Sequence, residues 1–384
     1  MNREAMQIPR AGLVAAVRQR REQREAEIAA RDARYGRERI RLTSYMENIG
    51  WPELFRYDMN AYFADPDLAA EMQLRQRIFW ADNVPDDTAV GLSFEADAGY
   101  YFDLTLFGQR VSHTPEGVPE FAPHALQRDL DLAALGHFDF QRSGVMPVLL
   151  ARFRRLGELG QAESDPPVPV GFPNFHRGPL DIYVQLRGYE QFVNDVAERP
   201  EKVHAILAFL ADERLRFAQE RQRHLGEARL PAETFVADDW VNVPFISPQI
   251  FREFVAPAYA RIRAHEGRVT GFHTCGRIEA LIGDLLAVFP ELRQMDISGW
   301  NDVRRLDEFV PADFAFGVQV LNTVTLGADA AEQDALLDAI AAVAAHRPVS
   351  VCAQAIVRRC PTYAETLTRL NRFMARAYRR LGSG

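Results

Sequence analysis

The chain has 384 residues, 47% of them hydrophobic and 26% charged, with a formal net charge of −8. That apolar content supports a large core and excludes global disorder. The negative balance excludes a general nucleic-acid binder, which needs a basic face, and no apolar run reaches the ~18 residues of a membrane span. The opening residues, MNREAMQIPRAG, lack the apolar centre of a secretory signal, so a cytoplasmic protein is expected.

Residues 13–41 read as a charged helix with a thin apolar stripe. Acidic residues interleave with its arginines and cancel their field, which predicts a solvated helix on the outside of the body. Strand-like runs follow at 88–96 (TAVGLSFEA), 179–188 (PLDIYVQLRG), 233–240 (ETFVADDW), 268–275 (RVTGFHTC), 292–298 (LRQMDIS), 314–321 (FAFGVQVL) and 347–356 (RPVSVCAQAI). Helical patterns separate them. Val203, Ile206, Leu207 and Leu210 have the spacing of one amphipathic face. Ser247 is placed to cap the next helix, with Pro248 at its first position. Further helices are expected at 276–289 and 329–346.

Strand, helix, strand repeated from about residue 179 implies parallel pairing. The expected fold is therefore α/β, a (β/α)8 TIM-type barrel with an N-terminal helical extension, and an open sheet is the alternative. The extension is placed at 1–75 and the barrel at 76–384. No linker, low-complexity tract or internal repeat divides the chain. The proline-rich stretch 163–179 reads as an active-site wall.

Three cysteines, Cys275, Cys352 and Cys360, are too few for a disulfide scaffold. Only one lysine, Lys202, is present, which leaves a single candidate for Schiff-base chemistry. Cys275 lies in GFHTCG (271–276), two residues after His273. In a strand, residues i and i+2 share a face. His273 and Cys275 would project together from the carboxyl end of one strand, where barrel chemistry sits. Cysteine also fills space in ordinary cores, and that plain reading stands beside the metal reading. Cys352, on a later strand, could join the pair across the barrel mouth. One imidazole and two thiolates suit Zn²⁺ with a fourth position open.

GFHTCG, with VADDWVNVPFISPQIFREFVAPAYARI before it and FGVQVLNTVTL and VSVCAQAI after it, resembles the uroporphyrinogen decarboxylase superfamily. Within it, the chain is most similar to the zinc-dependent, cobalamin-linked methyltransferases, such as the methylcobamide:coenzyme M methyltransferases. The resemblance covers roughly residues 140–380. It implies His273, Cys275 and Cys352 as zinc ligands, and a methyl group moved between a corrinoid and a thiol or another donor or acceptor, such as a methoxylated compound. The chain has no D-x-H-x-x-G corrinoid motif, so the corrinoid would be a free co-substrate or be carried by a separate protein. The decarboxylase branch fits less well. Its arginine-rich R-Q-A-G-R-Y loop has only an echo in RDARYGR (31–37), and it lacks the H-x-C-G. Decarboxylation of a tetrapyrrole or other carboxylate is the second reading, and a non-enzymatic zinc-binding barrel the third.

Asp238 and Asp239 end another expected barrel strand and are the candidate catalytic carboxylates, or partners of the metal set. Strand alternation admits only one of them to the site. Glu95 and Asp97 are weaker candidates of the same kind. His176 and Arg177 in the proline-rich loop could meet substrate. Trp240, Phe245, Phe272, Tyr100 and Tyr101 could wall a pocket or fill the core, and Cys360 reads as structural.

Overall fold

The computed structural model describes residues 4–35, 40–46, 50–99, 101–226, 233–327, 329–355 and 360–381. Strand β1 (Ile40–Met46) opens the sheet, followed by β2 (Phe94–Glu95), β3 (Val111–His113), β4 (Pro119–Phe121) and β5 (Val170–Gly171). The later strands are β6 (Glu233–Ala237), β7 (Arg268–Thr274), β8 (Gln294–Ser298), β9 (Ala315–Val320) and β10 (Val349–Ala355). Six of them pair side by side in the order β1-β10-β9-β8-β7-β6, and β2 pairs with β5. All of these pairings are parallel, while β3 and β4 form an inserted antiparallel hairpin. Two links complete the ring. Arg177 bridges to Ala237 beside β6, and Asp87 exchanges hydrogen bonds with Leu42 of β1. The result is an eight-stranded parallel barrel with helices outside.

Alternation places the core. Val349, Val351, Ala353 and Ala355 of β10 are buried under helices, while Ser350, Cys352 and Gln354 between them face the half-buried lumen. The helix Pro200–Leu225 buries Val203, Ile206, Leu207 and Leu210 as the spacing predicts, and stops at Gly226 with φ 70°. Ser247 Oγ caps the next helix by accepting the Ile250 N–H at 3.1 Å. No helix among the described residues is long and apolar enough to cross a membrane.

Three expectations change. Residues 179–188 are not a strand: Pro179–Arg187 is a helix, entered through Gly178 with Pro179 at its first turn. It is buried on nearly every side, and a helix hidden all round has the same continuous apolar run as a central strand. The barrel strand of this region is β5, inside the proline-rich stretch. The barrel also begins well before residue 76, because β1 lies within the expected extension and pairs along its whole length with β10. The charged N-terminal helix runs Leu13–Tyr35 and packs on the helix Pro66–Asn83.

Candidate metal centre

The site forms where β6 and β7 end. Ala237 is level with His273, so Asp239, two residues on, extends the same lumen face. Asp239, His273 and Cys275 each present a ligand atom there, all within 4.8 Å of one another. His273 Nε2 is 3.3 Å from Cys275 Sγ and 3.4 Å from Asp239 Oδ1. Asp239 Oδ1 is buried and has the His273 imidazole beside it. Beyond β7 the chain turns at Gly276, where any Cβ would collide with Asn242. The Asn242 amide in turn donates to the Asp239 carbonyl at 2.6 Å, and Thr274 Oγ1 donates to the Val241 carbonyl at 3.1 Å. These bonds fix the loop after β6 against the loop after β7.

The three groups bias one another. Burial pulls His273 down, but the hydrogen bond and charge of Asp239 outweigh it and hold the imidazole above its ordinary pKa. Burial pushes Asp239 up, and its bonds to His273 and Cys275 reverse this and keep it below the usual range. Burial, then the charge of Asp239, drives the Cys275 thiol far up. Without a cation this sulfur stays protonated. A carboxylate, an imidazole and a thiol whose ligand atoms converge within 4.8 Å fit Zn²⁺.

Asp238 does not belong to the site. It points outward between β6 and the helices, fully buried, where it accepts the Leu180 N–H at 3.2 Å and the Tyr259 hydroxyl at 3.0 Å. Gly178 has no room for a Cβ beside this carboxylate. Of the two aspartates, alternation gives Asp239 to the lumen and Asp238 to packing. Asp238→Ala is therefore expected to cost about 2–4 kcal/mol in urea denaturation, by orphaning two buried donors, and to keep its metal. Asp239→Ala should do the reverse. A stable Asp238→Ala protein would contradict the assignment.

Cys352 also stands outside the group of three. It lies on β10, three strands from β7 around the wall, level with Thr43 of β1 and Gln319 of β9. Burial raises its thiol to about 11, against a hydrogen bond with Thr43 that lowers it. Cys360 is buried in the core.

Two acids that sequence reading passed over lie near enough to act on His273. Asp296 of β8 is level with His273 and with Gly317, which lacks the Cβ that would strike its carboxylate. Its signal was a lone acid between Met295 and Ile297 in an apolar strand. Asp181 accepts from Arg177 Nη1 at 2.6 Å, and Arg177 Nε reaches Asp103 at 3.1 Å. The Arg177 guanidinium also lies 5.0 Å from the centre of the Tyr101 ring. The ring of His176 packs edge-on to Phe235 at 6.0 Å. Trp240 stacks on Tyr189 at 5.3 Å and meets Phe245 at 4.7 Å, forming an aromatic wall next to Asp239. Phe272 is fully buried on the helix side, against Tyr259. Tyr100 lies outside the described residues.

The family model "Uroporphyrinogen decarboxylase (URO-D)" matches residues 53–298. Among solved structures, a methyltransferase from Methanosarcina mazei is similar, with 14% identity and a TM-score of 0.62, over 90% of this chain and 97% of that one. At that identity the likeness is one of fold. No curated protein sequence matches the chain. The family match spans well over half of the residues and takes in the barrel strands that carry Asp239, His273 and Cys275, and the chain belongs to the uroporphyrinogen decarboxylase family.

Proposed function

We propose that the protein is a zinc-dependent methyltransferase that moves a methyl group between a corrinoid and a thiol, or another methyl donor or acceptor such as a methoxylated compound. The observation that carries this reading is the convergence of Asp239, His273 and Cys275 at the barrel mouth, their ligand atoms all within 4.8 Å of one another. Zinc held by these residues supplies a cation that keeps a bound thiol deprotonated and nucleophilic. Asp239 and Cys275 contribute one negative charge each, and neutral His273 none, so the donor set already balances a dication. A substrate sulfur then keeps its own negative charge and its nucleophilicity. Asn242 and the loop bonds hold Asp239 in place, which limits reorganisation during transfer. The Tyr189, Trp240 and Phe245 wall narrows access of water on the β6 side.

In the thiol-methylating direction the cobalt–carbon bond breaks with its electron pair left on cobalt. The sulfur–carbon bond forms from the sulfur pair, and the thiol proton leaves to solvent. The test follows corrinoid absorption with methylcob(III)alamin, a panel of thiols and the zinc-loaded protein. Zinc-dependent loss of methylcobalamin, with cob(I)alamin appearing, is expected. Conversion of uroporphyrinogen to coproporphyrinogen with no methyl transfer would replace this reading by decarboxylation. Inactivity in both assays, with a corrinoid carrier protein added, would leave a zinc-binding barrel without enzymatic activity.

A further inference from the structure

A second polar cavity lies at the β1–β2 side of the barrel. Here β2 has a strand partner on one edge only. On its other edge the helix Pro66–Asn83 substitutes for a strand. The Gln73 amide donates to the Glu95 carbonyl at 3.0 Å and accepts the Glu95 N–H at 2.8 Å. One turn later Arg77 binds the Ser93 carbonyl. Beside the seam lies an open cavity of about 390 Å³, lined among others by Tyr62, Gln73, Gln76, Arg77, Glu95 and Asp97. None of these belongs to the metal group.

Among the described residues, the charges in this cavity form no direct ion pair with one another. Among the described residues Arg77 forms no ion pair, and its hydrogen bonds go to the carbonyl and hydroxyl of Ser93. Glu95 accepts only from Ser93 Oγ, at 2.9 Å. Asp97 accepts the Gly99 N–H at 2.8 Å, and its own carbonyl is fixed by Arg152. The Glu95 carboxylate lies over Gly171 of β5, where a Cβ would collide with it, so the chain keeps room for this acid. Burial lowers the Arg77 pKa, against the opposing charge of Glu95, and raises that of Asp97, against the Gly99 N–H and the charge of Arg152. Such groups are costly unless something completes them.

We infer that this cavity binds a small zwitterion of α-amino-acid type, its carboxylate on Arg77 and its ammonium between Glu95 and Asp97. A guanidinium is suited to a carboxylate, and two carboxylates facing one ammonium supply charge-assisted acceptors for its N–H groups. Gln76 and the Tyr62 hydroxyl add neutral polar contacts on the same wall. The volume accommodates a side chain besides the two charged ends. This assignment does not rest on the metal reading.

The test is calorimetric titration of the full chain with glycine, L-alanine and L-methionine, and with acetate and methylammonium as half-molecules. At least one zwitterion is expected to bind, and both half-molecules to bind at least about tenfold more weakly, because each leaves one charged side of the site without its counter-charge. Glu95→Gln and Asp97→Asn should each weaken the zwitterion about tenfold. Glu95 is exposed, so Glu95→Gln keeps its fold and carries the test if Arg77→Gln unfolds. Absence of binding by all three zwitterions, equal binding of a half-molecule, or wild-type affinity in Glu95→Gln would overturn the proposal.

Discussion

Cys275→Ala is expected to fold with a melting temperature within a few degrees of wild type, to lose its zinc, and to lose methyl transfer by orders of magnitude. The side chain is exposed at the mouth, so its removal opens no cavity in the core. The face of β7 that packs against the helices is the opposite one, carrying Phe272 and Thr274. A structural zinc site would behave differently, because there the metal contributes folding free energy outright. His273→Ala should match Cys275→Ala. Zinc uptake should also weaken as pH falls and should release protons, since Sγ is protonated before the metal arrives and the imidazole is held above its ordinary pKa. Elemental analysis of each variant decides the ligand set. Cys352→Ala is expected to keep its zinc, because Cys352 stands on another wall of the lumen outside the group of three. Loss of zinc from Cys352→Ala would mean that β10 draws in when metal binds. Unfolding of Cys275→Ala would move the site from catalysis to structure.

Much of this arrangement was legible in the residues. Alternation alone puts His273 and Cys275 on one face, and the pairs Ser247–Pro248 and Val203–Leu210 mark helices that the structure contains. Alternation also says that only one of Asp238 and Asp239 enters the lumen. Which one it is depends on the register of β6 against β7, and that register is a contact between segments more than thirty residues apart. The same limit applies to Cys352, whose spacing from Cys275 carries no distance. The helix Pro179–Arg187 was misread because it is buried on nearly every side, so its sequence has no solvent-facing period to report. Strand β1 escaped notice because it follows a strongly charged helix. Its partner, β10, lies more than three hundred residues away. Arg177 was picked out only as a loop residue that could meet substrate. In the structure it is enclosed between two aspartates, and Asp103 comes from a segment 74 residues earlier in the chain.

Arg177→Met should be among the most destabilising single changes in this protein, costing about 3–5 kcal/mol. The guanidinium lies between the buried carboxylates of Asp103 and Asp181 and has almost no exposure of its own. Methionine fills much of the volume and leaves both acids without their cation. Asp181 Oδ1 already lacks a donor, so nothing else in the cluster replaces the lost charge. The pH dependence has a definite sign. Burial raises Asp103, and burial raises Asp181 to about 6, in each case with Arg177 working in the opposite direction. Removing Arg177 lifts both folded-state pKa values further above their unfolded ones. Between the unfolded and the folded pKa the native state then binds more protons than the unfolded chain, so stability falls as pH rises through that window. The deficit of Arg177→Met should be largest near pH 8 and smaller near pH 5, where protonation relieves the buried charge. Urea denaturation of the two proteins at several pH values measures this directly. A deficit independent of pH would show that the loss is one of packing and hydrogen bonds. A deficit under about 1 kcal/mol, the range of an exposed pair, would show that Asp103 and Asp181 do not need Arg177 as their counter-charge.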